Sequence, residues 1–249
     1  DSVKCERDKN RDKDIRERWW QFGRTRQMMR DSIFGLTRDI ATVETTKQRV
    51  FQFVNSTVVP DHMLIVIGSD NAFHLGILSS RPHNIWSLRS GGWLGVGNDP
   101  RYSKSRCFNA FPFPDASAEL VSEIAEIAEK LDKHRKDVIA AHPDLTITRL
   151  YNTVERLRSG TLPSQLNGME RIALDNGLAL IMKEYHDRLN DAVLSAYGWP
   201  RDISDEDVLT RLVALNKQRA QEEAAGEVKW LRPDYQISRF TRHVDKKAE

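Results

Sequence analysis

Residues 50–70 read VFQFVNSTVVPDHMLIVIGSD, and this stretch sets the fold class. Val50-Phe51-Gln52-Phe53-Val54 is alternating and rich in β-branched and aromatic residues, the pattern of a strand. Met63 to Ile67 is a continuous apolar run between Pro60-Asp61 and Gly68-Ser69-Asp70, which predicts a buried strand bounded by turns. Upstream, Ile40–Val43 is short and β-branched and predicts another strand. Downstream, Asp70 predicts the cap of a helix through Leu88, with Phe73, Ile77 and Leu78 turned inward. Farther out on the N-terminal side, Trp19, Phe22, Met29 and Ile33 recur at helical spacing and predict a helix from Arg16 to about Leu36. On the other side, Gly91-Gly92, Gly95 and Gly97-Asn98-Asp99-Pro100 predict a flexible glycine-rich loop, and Cys107 to Phe113 returns to extended structure before Pro112 and Pro114 stop it.

After Asp115 the pattern changes period. Leu120, Ile124, Ile127 and Leu131 form a helical stripe, Thr148–Leu157 predicts a second helix, and Tyr185, Leu189, Val193 and Ala196 form another stripe closed by Gly198 and Pro200. Ser204 with Asp207 resembles a capping box opening a helix through Ala220. No internal repeat is present. The expected organisation is a charged lead-in or linker over 1–18, an α+β domain (a mixed sheet with helices) over 19–115, and an all-α helical domain over 116–249.

Composition bounds the function. At 249 residues with 39% hydrophobic and 30% charged residues, the chain reads as an ordinary globular protein. No apolar run approaches the ~18 residues a membrane helix needs, and the charged Asp1–Arg18 segment is unlike a signal peptide, so the expected site of action is cytoplasmic. The chain opens on Asp1 rather than Met, which suggests a piece of a longer polypeptide. Cys5 and Cys107 are too few for a disulfide framework and read as reduced thiols. Residues 1–115 hold 18 basic against 13 acidic side chains, a balance of +5, while 116–249 hold 20 against 23, a balance of −3. A basic half joined to an acidic half points to a polyanion partner for the first, or simply to a solvated surface.

The chain looks catalytically empty. The Gly91–Gly97 stretch follows a helical pattern rather than a strand, the wrong context for a cofactor-cradling turn, and no Asn-Pro-Pro-aromatic loop for amino methylation is present. Glu227-Val228-Lys229 matches half of a metal-dependent nuclease motif. Its required Pro-Asp is either far upstream at Pro143-Asp144 or after it at Pro233-Asp234. The seven histidines are scattered, with no zinc spacing, nucleophile elbow or Walker loop. No metal or cofactor is expected in this chain. Around the glycine loop, in contrast, stand Arg81, His83, Arg89, Asn98, Arg101, Tyr102, Lys104 and Arg106. Arg can read guanine bidentately and Asn can read adenine, while Lys more often holds phosphate. The same residues also fit a plain basic surface loop.

Several segments, read in order, carry a family resemblance. They are Trp19-Trp20-Gln21-Phe22-Gly23-Arg24…Arg30; Phe51 and Phe53 before Pro60-Asp61; Leu75-Gly76-Ile77-Leu78-Ser79-Ser80-Arg81-Pro82-His83…Trp86; and Gly97-Asn98-Asp99-Pro100-Arg101-Tyr102 leading to Cys107-Phe108-Asn109-Ala110-Phe111-Pro112-Phe113-Pro114. The helical half adds Leu150-Tyr151-Asn152, Leu189–Val193, Ala196–Pro200 and Gly226–Gln236. Together they resemble the target-recognition domain and helical C-terminal domain of MmeI-like DNA methyltransferases, single-chain restriction–modification enzymes, from about Trp19 to Gln236. Thr46-Lys47-Gln48-Arg49 departs from the family's Ser-Lys-His-Arg, and Asn109-Ala110 from a more polar pair.

The resemblance implies an upstream S-adenosylmethionine-dependent domain that methylates adenine N6 after flipping the base out of the duplex, with double-stranded DNA and that upstream domain as partners. It implies base reading ahead of Arg-Tyr-Ser: Asn98 and Arg101 on bases, Asp99 on a cytosine amino group or as a buttress for Arg101. Phosphate contacts fall to Lys47, Arg49, Arg81, Arg89, Lys104 and Arg106. Trp86, Phe111 and Phe113 read as core, Trp19 and Trp20 as core or domain-packing residues, and His83 as a packed, hydrogen-bonded histidine. Two other readings stand beside this one: a scaffold that docks upstream catalytic domains without reading DNA, and a metal-dependent nuclease using Glu227 and Lys229.

Overall fold

The computed structural model describes residues 2–21, 25–94, 99–176 and 178–239. Three short strands make its sheet: β1 (Arg38–Val43), β2 (Gln52–Asn55) and β3 (Leu64–Ile67). β1 lies in the middle and is antiparallel to both neighbours, with Ile40 opposite Phe53 on one side and Ile67 on the other. Opposed side chains share a face of an antiparallel sheet. Ile40, Phe53 and Ile67 therefore bury one face together, with Phe51 beside them. The sheet is antiparallel throughout rather than mixed, and the α+β class followed by an all-helical part is what the chain adopts.

Before the sheet the expected helix from Arg16 to Leu36 does not form as one element. Short helices α1 (Ser2–Arg7), α2 (Lys13–Glu17) and α3 (Gln27–Ile33) stand there instead, and none of them buries a residue. An apolar stripe makes a long helix only when something covers it, and Trp20 here is 65% exposed, so it is not a core residue. Phe22, Gly23 and Arg24 lie outside the described residues.

After β3 the helix expected from Asp70 to Leu88 is two helices, α4 (Ala72–Ser79) and α5 (Arg81–Ser90). Asn71, not Asp70, is the cap: its side chain accepts from Phe73 N at 2.9 Å. Ser80 breaks the run, its Oγ turned back to Ile77 O at 2.6 Å, and Pro82 starts α5 in the first turn, where its missing N–H is harmless. Every residue of α4 from Ala72 to Leu78 is buried: Ala72, Leu75 and Leu78 pack with Ile40, Phe53 and Ile67 of the sheet, and α5, α6 (Ala118–Ala141) and α9 (Ala179–Ala196) cover the rest. Gly76 makes that closeness possible. A Cβ there would stand 2.5 Å from Ile124 Cγ2.

The chain then forms a hairpin, β4 (Gly92–Leu94) and β5 (Asp99–Arg101), followed by a π-helical turn at Lys104–Phe108 where extended structure was expected from Cys107. The helical half comprises α6 (Ala118–Ala141), α7 (Ile147–Arg158), α8 (Gly168–Asp175), α9 (Ala179–Ala196) and α10 (Asp205–Ala224), and a further helical segment covers 233–239. Ser117, Thr146 and Ser204 cap α6, α7 and α10 with their side-chain oxygens, each worth about 1 kcal/mol.

The hydrophobic core crosses residue 115. Phe73, Ile77, Trp86 and Phe111 from the first half pack with Ile124, Leu131, Leu189 and Leu212 from the second. Polar ties reinforce the joint. Tyr197 OH donates to Pro112 O at 2.8 Å, Asn216 to Ala110 O at 2.6 Å, and Arg219 pairs with Asp115 at 2.7 Å. Near the C-terminus Arg232 donates to Ser32 O and Gly68 O, tying that segment to the sheet. Among the described residues no helix is long and apolar enough to cross a membrane.

Candidate nucleic-acid interface

Gly91 and Gly92 lead into the β4–β5 hairpin. Its register is Gly92 opposite Arg101, Trp93 opposite Pro100 and Leu94 opposite Asp99. Gly91 sets where the hairpin leaves α5. A Cβ there would meet Arg101 O and Ser87 O at 2.6 Å, so only glycine lets the two backbones approach. Gly95, Gly97 and Asn98 lie outside the described residues.

A third backbone segment lies alongside. Tyr102 N donates to Glu44 O at 2.7 Å, Thr46 N to Pro100 O at 3.2 Å, and Thr45 bridges Arg101. This places Lys47, 55 positions from Tyr102 in sequence terms a distant residue, beside the hairpin with its side chain exposed. Glu44 was not anticipated. Its carboxylate accepts from Arg101 Nε at 2.6 Å and orients the guanidinium, which keeps 49% of its side chain exposed. The buttress of Arg101 is thus Glu44, the alternative role given to Asp99. No local sequence signal connects positions 57 apart.

Tyr102 anchors the base of this arrangement. It is 1% exposed, its hydroxyl meets His83 Nε2 at 3.0 Å, and its ring packs edge-on against Phe51. Burial pushes the Tyr102 phenol well above its ordinary range and holds His83 down at about 3, so both groups are neutral at physiological pH. His83 is the packed, hydrogen-bonded histidine expected of it, and Trp86 and Phe111 are core residues.

The expected phosphate-binding cations divide by what already surrounds them. Arg49 donates to Val43 O, Glu44 O at 3.4 Å and Pro100 O at 3.3 Å, and lies over the Tyr102 ring. Burial lowers its pKa. It splices segment 42–49 to the hairpin. Arg81 donates to Asp205 at 2.8 Å and Ile203 O at 2.8 Å, joining α5 to α10. Lys47, Arg89, Lys104 and Arg106 are exposed, and among the described residues none of them has an ion-pair partner. Lys104 and Arg106 ride on the π-helical turn, which Ser103 caps by accepting from Arg106 N, and whose buried Cys107 Sγ accepts from Ser103 N at 3.3 Å. Next to Lys47, Gln48 donates to Asn152 at 3.1 Å and Glu155 at 2.7 Å of α7, so the helical half reaches the edge of the same surface.

Among the described residues no group of three or more His, Cys, Asp and Glu side chains could hold a metal ion. Lys229 is engaged with Asp115 at 3.3 Å. Gly91 serves close packing and Gly92 pairs with Arg101 in the hairpin.

The fold and this surface define a class, an α+β module that holds a charged hairpin outward on an all-α support. Residues 1–115 match the family described as the MmeI target recognition domain. DNA methyltransferase A of Bacillus subtilis (strain 168) is 30% identical over 161 residues, which cover 64% of this chain and 15% of that protein. The type IIL restriction–modification enzyme MmeI, solved in complex with DNA, shares the fold at a TM-score of 0.64 and 21% identity, over 87% of this chain and 25% of that one. The chain therefore spans a quarter or less of the length of these relatives. By these matches residues 1–115 are similar to a target recognition domain of the MmeI type, and the chain is MmeI-like in fold.

Proposed function

We propose that this chain is the specificity portion of a cytoplasmic, S-adenosylmethionine-dependent adenine-N6 DNA methyltransferase, reading one short double-stranded sequence for a catalytic domain elsewhere in the same polypeptide. The observation that carries this reading is the hairpin: Asp99 and Arg101 stand on an exposed two-stranded ribbon whose base is fixed by Tyr102, Arg49 and Glu44. A two-stranded ribbon fits the major groove, where Arg pairs with guanine O6 and N7 and a carboxylate accepts from cytosine N4. Arg101 and Asp99, with Asn98, are the base readers. Lys47, Arg89, Lys104 and Arg106 hold phosphates. Arg49 and Arg81, engaged within the protein, hold the frame instead of DNA. The cofactor and the methyl transfer belong to the other domain, and the exposed apolar side chains Trp20 and Phe34 offer it a docking surface.

The test is selection from a randomised duplex library by the 249-residue chain at two salt concentrations. One enriched motif, with Arg101→Ala relaxing its preference at one position, is the expected result. Salt-sensitive binding without a motif would reduce the chain to phosphate contacts, and absence of binding would overturn the reading.

A further inference from the structure

We propose that Leu94 is a specificity-determining residue that recognises the C5-methyl group of a thymine next to the base pair read by Asp99 and Arg101. The proposal rests on the DNA-reading role of the hairpin. Opposed residues in an antiparallel pair project to the same side, and successive residues alternate. The register thus puts Gly92, Leu94, Asp99 and Arg101 on one face of the ribbon, and Trp93 and Pro100 on the other. Pro100 is buried, but Trp93 across from it is 52% exposed, so β4 is open on both faces; what distinguishes Leu94 is that it shares its face with Asp99 and the half-exposed Arg101.

On that shared face Leu94 is 42% exposed. A single exposed leucine is unremarkable on a protein surface. This one stands directly across from Asp99 and diagonal to Arg101, with the space across from Arg101, at Gly92, beside it. That space is open, since a Cβ at Gly92 would meet nothing within 4 Å. Neighbouring strands lie ~4.8 Å apart, and stacked base pairs ~3.4 Å apart. Residues side by side on the ribbon therefore face the same or adjacent base pairs. The major-groove edges offer polar atoms to Arg and Asp, and one apolar group, the thymine methyl. A leucine across from Asp99 and diagonal to Arg101 has that group as its matching contact.

The experiment measures affinity of the 249-residue chain for its selected site, with each thymine replaced in turn by deoxyuridine, which removes only the methyl. One replacement, in the pair adjacent to the position that Arg101→Ala relaxes, is expected to weaken binding about fourfold, the effect of one buried methyl group. Leu94→Ala should abolish that difference, while Trp93→Ala, on the opposite face, should keep it. The proposal is overturned if uracil is silent at every position, if its effect persists in Leu94→Ala, or if the adjacent pair holds no thymine. Failure to select any site would overturn the DNA-reading role itself. A selected site with silent uracil removes only the role of Leu94.

Discussion

The hairpin around Arg101 and the joint around Arg135 use the same chemistry to opposite ends. Arg101 is half exposed on a short ribbon and holds a single carboxylate, Glu44. Arg135 is 1% exposed in α6. It meets Asp132 at 3.5 Å and donates to Tyr151 OH at 3.1 Å, and that hydroxyl continues to His186 Nε2 at 2.9 Å. Asp132 also takes Lys136 and the backbone N–H of Phe53 in β2, so the network joins the sheet to three helices of the second half. A guanidinium sealed in this way can only hold the protein together. One left at the surface with one partner can exchange that partner for a base edge. Surroundings, not residue type, separate an arginine that can only hold structure from one free to take on a ligand.

Breaking the buried side should have the largest effect. Asp132→Ala leaves Arg135 charged and buried without its carboxylate, and leaves Phe53 N–H without an acceptor. Removing one partner of a buried pair costs about 3–5 kcal/mol, so the melting temperature should fall by on the order of 10 °C. Calorimetry decides this. A shift within a degree or two would mean that solvent reaches the network and that the two regions do not differ as described.

A second effect also belongs to the interior. Burial lowers His74 to about 4 and His83 to about 3, and puts His186 well below its ordinary value. The unfolded chain binds these protons near 6.5, so it holds more protons than the folded chain below that pH. The stability from keeping each ring neutral is complete above pH 6.5. It is lost as pH falls through the window from 6.5 toward about 4 for His74 and toward about 3 for His83. At pH 5 each contributes a loss of roughly 2 kcal/mol. Urea midpoints at pH 7 and pH 5 should show a large decline that His83→Gln reduces and Arg101→Ala leaves untouched. An unchanged decline in His83→Gln would assign it to other groups.

How much of this was legible depends on the range of the interaction. The strands emerged within a residue or two because Ile40–Val43 and Met63–Ile67 are short apolar runs bounded by turn residues. Caps at Ser204 and the stripes of α6 and α9 are equally local. The break at Ser80 had a local signal as well: Pro82 is a helix-start residue, outweighed by an apolar period that ran on across it. The α2–α3 region misled for the reverse reason. Its period is helical, but the described protein covers it only in part, where α3 meets β3, and buries none of its residues. What the sequence could not disclose is pairing at a distance. Arg81 and Asp205 are 124 residues apart, and Arg49 meets Pro100 O across 51, so their engagement was invisible beside identical arginines that remain free. The outward hairpin was visible only as glycines and charges, because its order comes from Glu44, Thr45 and Thr46 alongside it.

The sharpest division lies within the exposed surface itself, where effects on stability vanish and effects on binding separate. On the role proposed for Arg101, Arg101→Ala should lower discrimination at one base pair by about 1–3 kcal/mol while the melting temperature stays put. Lys104→Ala, on the π-helical turn three residues away, removes a point charge that has no directional partner. It should weaken binding uniformly across sequences and lower the slope of log affinity against log salt by about one, leaving the motif intact. Titrations of both variants at several salt concentrations, against the selected site and a scrambled duplex, distinguish the two behaviours. If Lys104→Ala relaxed the motif, or Arg101→Ala changed only the salt slope, then reading would reside in the turn and the hairpin would serve as its support.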